Sequence, residues 1–170
     1  MPDLIIITVI IAVLFDVSNG WNDSANAIAT VVSTRVLSPL AAVLLAAAMN
    51  IAGAFATTAV AKTIGKGVVD PTGITTTVVA AALLSGFCWN WAMTILGMPV
   101  SASHALIGSL MGAATAHGGL EVLNAAGLKK IFTALLISPP IGMLFGYLLM
   151  KLLLRAFGAS SPGALNKHFG

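Results

Sequence analysis

The sequence predicts an all-α integral membrane protein, a polytopic helical bundle with broken or re-entrant helices. Three observations predict it. Hydrophobic types make up 58% of the 170 residues and charged types only 8%, against roughly 25% charged in a soluble domain. Three apolar stretches are each long enough to cross a bilayer as a helix of about 20 residues. Two further apolar stretches are interrupted by polar segments containing glycine or proline. Five acidic and eight basic side chains cannot give a globule of this size a solvated surface, which excludes a soluble enzyme and a disordered tail. The basic residues form no run, so a nucleic-acid partner is excluded as well. The single Cys88 allows neither a disulfide framework nor a thiolate metal site.

The first element opens with the apolar run Leu4–Phe15. It has Asp3 where a secretory signal needs a basic flank, and no small-residue cleavage site follows, so it reads as mature protein. The run is too short to cross alone. It leads into the polar segment Asp16–Asn26, after which a helix-compatible stretch reaches about Val36. Leu40–Ala61 is the first full span. A turn-rich connector, Lys62–Gly73, precedes the second, Ile74–Leu96. Met98–His117 then begins with a Pro-Val-Ser-Ala-Ser-His run and continues as a short helix rich in glycine and alanine. A glycine-rich connector, His117–Gly127, leads to the third span, Leu128–Leu154, in which Pro139 and Pro140 predict a kink. Residues 1–156 make one membrane unit, and 157–170 a linker or tail.

The two interrupted segments carry the chemistry. Polar backbone at membrane depth is tolerated only where it is buried or lines a cavity, and paired broken helices point to a transporter's binding site. In the first segment Asn22, Asn26, Thr30 and Ser33 recur at helical spacing on one face, with Asp23 beside them and Asn19 in a loop just before. A mid-membrane carboxylate costs about 2.5–3.5 kcal/mol on insertion scales, so it needs a partner. The oxygens of Asn19, Asn22, Asp23 and Asn26 are hard ligands suited to Na⁺, chiefly at Asn22, Asp23 and Asn26, or Asp23 holds a proton. The alternative is a helix cap with asparagines gluing helices together, but a cap needs one polar residue, not four.

In the second segment Ser101 or Ser103 is the expected N-cap of the following helix, whose free N–H groups make an anion site. Capping alone is the competing reading for either serine. His104 either contacts the ligand or braces the turn through a backbone carbonyl. The remaining features read as structural. Gly108 with Gly112 and Gly142 with Gly146 suggest close-packing faces, and Asn50 and Asn90 suggest interhelical hydrogen-bond partners. Trp89 and Trp91 fit either interface anchors or packing groups. His117 reads as exposed.

At these residues a family resemblance emerges. The run from Gly20 to Thr30, and that from Gly97 to Gly108, resemble the two signatures of the inorganic phosphate transporters, and Leu136–Gly142 is similar to their late helix. The resemblance implies a secondary transporter that carries phosphate with Na⁺ or H⁺ and has no catalytic residue and no resident cofactor. It implies two inverted-topology halves, each with one copy of both signatures. This chain carries one copy, so it resembles the N-terminal half, completed by a covalent second half, a separate chain or a homodimer. The setting implied is a prokaryotic plasma membrane, multi-pass and in contact with lipid. On that reading Asp23, Asn26, Ser101, Ser103 and His104 contact the anion. Asp23 beside an anion is electrostatically reasonable only if a cation or proton binds too, so coupling is expected. A permease for sulfate or another oxyanion is the rival within the class. A non-transporting assembly subunit is the rival outside it. Positive charge is nearly balanced between the two sides whether Met98–His117 is re-entrant or crosses, so orientation is weakly specified.

Overall fold

A computed structural model describes residues 2–56, 62, 65, 67–70 and 74–157. The expected tail, from residue 158 on, and the part of the first span from residue 57 to 61 lie outside the described residues. The helices are α1 (Pro2–Ser33), α2 (Pro39–Ala56), α3 (Thr76–Ile95), α4 (Ala102–Gly118) and α5 (Ala125–Phe157). A short 3₁₀ turn, Leu120–Val122, lies between α4 and α5. Four of them, α1, α2, α3 and α5, are long and apolar enough to cross a membrane. Large side chains such as Ile5, Ile6, Val9, Ile10 and Val13 are more than half exposed along α1, as lipid or protein contact within a membrane allows. The helix faces therefore define a multi-pass membrane protein.

One expectation fails at the start. α1 runs unbroken for 32 residues through Asp16–Asn26, so the first interruption does not exist and Asn19 is helical, not in a loop. No proline lies between Pro2 and Pro39 to remove a backbone donor, and a single Gly20 weakens a helix by only about 1 kcal/mol. The polar side chains support the helix: Ser18 donates to the Phe15 carbonyl at 2.7 Å and Ser24 to that of Gly20 at 2.5 Å. α1 ends in a left-handed residue, Arg35 at φ 58°. Val36 N–H reaches back to the Val31 carbonyl at 3.0 Å and Arg35 N–H to that of Val32 at 3.1 Å, the pairing that closes a Schellman motif. Ser38 then caps α2, with Pro39 at its first position where a missing N–H costs nothing.

The packing of unit Met1–Leu128 centres on α3, which packs against both α1 and α4. Small residues let helices approach closely in membranes, and Gly86 is where they do. A Cβ built there would stand 2.9 Å from the Phe15 ring and 3.4 Å from Ser109 Oγ. Phe15 is buried. Three pairs give the direction of α1 on α3: Phe15 with Gly86, Trp21 with Trp91 and Asn22 with Thr94. The sequence offset is nearly equal in all three, so the helices are parallel. α4 runs antiparallel to α3, and its far end returns to where α3 begins. There Val69 and Leu123 form an antiparallel bridge. Asp70 N–H donates to the Val122 carbonyl at 2.9 Å and Asn124 N–H to that of Val68 at 3.1 Å.

The glycine pairs named from the sequence do not act as expected. Among the described residues of its own unit, a Cβ at Gly108, Gly112, Gly142 or Gly146 would meet nothing within 4 Å. Spacing alone does not show whether a helix faces a neighbour. In unit Lys129–Gly170, α5 stays helical through Pro139 and Pro140. Pro139 cannot donate to the Leu135 carbonyl four residues back, and the Ser138 hydroxyl donates to it instead at 3.4 Å.

Gly86→Val is expected to destabilise the chain by about 1–3 kcal/mol through overpacking against the Phe15 ring. Thermal unfolding in detergent reads this out as a lowered midpoint.

Candidate functional site

The parallel register brings the two polar motifs to one depth. Counting along the offset, the C-terminal end of α3 lies level with Asp23–Asn26 of α1. α1 continues beyond that level for about 13 Å, at 1.5 Å per residue. The α3–α4 turn is therefore the tip of a hairpin that stops partway along α1, beside its polar segment. Gly97 makes the turn with φ 65°, a left-handed conformation that a side chain would strain.

Ser101, not Ser103, is the N-cap of α4. Its extended backbone, at φ −101° and ψ 113°, precedes the helix, and its Oγ accepts from His104 N–H at 3.4 Å. The same Oγ lies 2.7 Å from His104 Nδ1. The histidine thus braces the cap through a hydroxyl, where a backbone carbonyl was expected. If the Ser101 proton is the one shared with Nδ1, the ring carries its own hydrogen on Nε2 and offers it outward. Ser101 and His104 line a cleft of about 670 Å³ together with Trp89, Met93, Pro99 and Ser109. Its walls are largely apolar, and the cap hydroxyl and imidazole are among the lining groups. Ser103 is exposed and does not line it.

The α1 cluster divides. Asp23 and Asn26 are exposed, and neither forms a hydrogen bond or ion pair among the described residues. Asn19 and Asn22 are half-buried, and Asn22 turns toward α3. The Asn22 amide meets Thr94 Oγ1 at 3.0 Å. No α1 residue lines the cleft beside Ser101. The structure therefore brings the two motifs to one level without closing them on one pocket within this chain.

Sequence reasoning missed Thr94, which is too ordinary in a helix to stand out, and undervalued Asn90. Asn90 is 0% exposed, and both its amide atoms lack a partner among the described residues, so it is not the interhelical hydrogen-bond partner expected. Asn50 bonds its own helix, donating to the Ala46 carbonyl at 3.0 Å. Trp91 packs on Trp21, with ring centroids 5.5 Å apart, and on Phe87, whereas Trp89 faces the cleft. His117 is exposed as expected, but in the last turn of α4.

Helical spans, a hairpin tip level with a polar helix segment, and a capped helix start opening on a cleft define a multi-pass helical membrane protein. A model of the phosphate transporter family matches residues 19–167, and the chain belongs to that family. It is 45% identical to a probable low-affinity inorganic phosphate transporter of Bacillus subtilis strain 168, over 98% of this chain and 50% of the relative. A protein of the same description from Streptomyces halstedii is 40% identical, over 98% of this chain and 78% of that one. The chain thus spans half the length of the Bacillus protein and likewise of one from Rhizobium meliloti, 50% in each. A solved sodium-dependent phosphate transporter has the same fold, with TM-score 0.86 at 28% identity, over 94% of this chain and 42% of that one.

Ser101→Ala is expected to lower stability by about 1 kcal/mol, the usual cost of a lost serine cap. Thermal unfolding beside Ser103→Ala, expected to be near neutral, checks that only the first serine caps.

Proposed function

We propose that this chain forms one half of a cation-coupled symporter of inorganic phosphate, working in a prokaryotic cell membrane. The single observation that carries the reading is the common depth of the two motifs: the Ser101–His104 helix start and the Asp23–Asn26 stripe sit at one level. Phosphate docks at the start of α4, where the free N–H groups and the partial positive charge of the helix end favour an anion. His104 donates to it through Nε2, with Ser101 committing its one proton to Nδ1, and Ser103 donates from the exposed side of the same first turn. Asp23 and Asn26, exposed here, face the complementary half, which is supplied by further chain or by a second copy in inverted orientation. The two halves rock around the site to give alternating access. The family, the names of the relatives and the sodium-dependent neighbour support phosphate as substrate and Na⁺ as the coupled ion.

Coupling follows from charge. Helix ends contribute only about half a positive unit each, and Asp23 adds a negative one beside an anion. A co-bound cation offsets it, and each ligand then raises the affinity for the other by the same factor. Asp23 also discriminates. Phosphate near neutral pH keeps a P–OH that an ionised carboxylate accepts, whereas sulfate offers only lone pairs.

In proteoliposomes, a Na⁺ gradient is expected to drive uptake of labelled phosphate, with sulfate a poor competitor. Uptake indifferent to both Na⁺ and pH gradients would refute coupling. A chain that moves no phosphate in any pairing would favour an assembly subunit. Asp23→Asn is expected to narrow the ratio of phosphate to sulfate affinity at fixed pH and saturating cation. An unchanged ratio with failed coupling would confine Asp23 to the cation.

A further inference from the structure

A second polar site lies inside the α1–α3 interface, away from the cleft and from the exposed Asp23 and Asn26. Asn90 is wholly buried, and its Oδ1 and Nδ2 are both without partners among the described residues. The parallel register sets Asn19 level with it. One turn further on, Asn22 meets Thr94. Asn19 Oδ1 and Asn22 Nδ2 are buried without partners as well. Each such atom needs a partner that the described residues do not supply, so four at one helix crossing imply an occupant.

Counting hydrogens identifies its chemistry. Thr94 Oγ1 lies 2.7 Å from the Asn90 carbonyl and 3.0 Å from Asn22 Oδ1, but its one proton serves only one of them. When threonine bonds back to its own helix, as is usual, Asn22 is satisfied best with its amide turned over, so that Nδ2–H donates to Thr94 Oγ1. The Asn22 oxygen then takes the buried, unpartnered position. Asn19, Asn22 and Asn90 present three amide oxygens within one helical turn of each other. Neutral hard oxygens suit a monovalent hard cation. Among the described residues no three His, Cys, Asp or Glu side chains gather as a metal site, so a more highly charged ion lacks the carboxylates it needs.

We propose that Asn19, Asn22 and Asn90, buttressed by Thr94, bind Na⁺ between α1 and α3. The inference deepens the cation-coupled reading and rests on it for its role in transport: an ion here ties the hairpin to α1 at the depth of the anion-binding turn. Binding of ²²Na⁺ to the purified full chain, in phosphate-free choline buffer, tests it. Saturable binding is expected, weakened at least tenfold by Asn90→Leu and by Asn19→Leu. Asn90→Asp, which keeps an oxygen and adds charge, is expected to tighten it severalfold and serves if the leucine variants do not fold. Absence of binding overturns the proposal, as does affinity unchanged across these variants, which leaves a hydrated amide cluster. Phosphate uptake separates the two ideas. Na⁺ binding through Asn90 without Na⁺-stimulated uptake sinks the coupling and keeps the site. Stimulated uptake with a half-saturating Na⁺ concentration unchanged in Asn90→Leu does the reverse.

Discussion

The closeness of three helices at Gly86 is the constraint on which the rest depends. Only a residue without a side chain lets the Phe15 ring of α1 and Ser109 of α4 approach α3 together. That contact sets the axial register of α1 against α3. The register decides which α1 residues face Asn90 and Thr94, and it decides where the hairpin tip stops. Without water to drive apolar surfaces together, fit of this kind carries most of the association between membrane helices. A shift of one turn would carry Asn22 past Thr94 and part the two motifs by about 5.4 Å.

The polar inventory obeys a second constraint, that desolvated groups need partners. α1 meets it in two ways. Its serines return protons to their own helix's carbonyls, which keeps a polar segment helical. Its motif divides in two ways: Asn26, on the same face as Asn22, lies past the end of α3, and Asp23, about 100° round from Asn22, lies on the open face. Such a division is what a helix imposes on neighbouring residues such as Asn22 and Asp23.

Much of this was legible in the sequence. The membrane class and the spans follow from hydropathy, and the family signatures were present residue by residue. The continuity of α1 was not legible, because four polar residues and a glycine resemble a break unless one notes that no proline enforces it. The idle Gly108/Gly112 pair shows that a small-residue motif names a face but not its neighbour. Asn90 resembled helix glue because its surroundings are made by α1, some seventy residues away, and no local pattern records that pairing. The depth shared by the two motifs is likewise a product of packing at Gly86, which has nothing distinctive in its own sequence neighbourhood.

The bridge between Val69 and Leu123 bears on how the hairpin can move. It joins the segment before α3 to the segment after α4, with Val68 and Val69 both wholly buried beside it. The two legs are therefore fastened at their open end and continuous at the tip, so the hairpin is a closed loop of backbone. Such a loop resists splaying, because parting the legs would cost backbone hydrogen bonds as well as packing. If it moves as one body about that fastened base, the greatest displacement falls at the tip, where Ser101 and His104 stand.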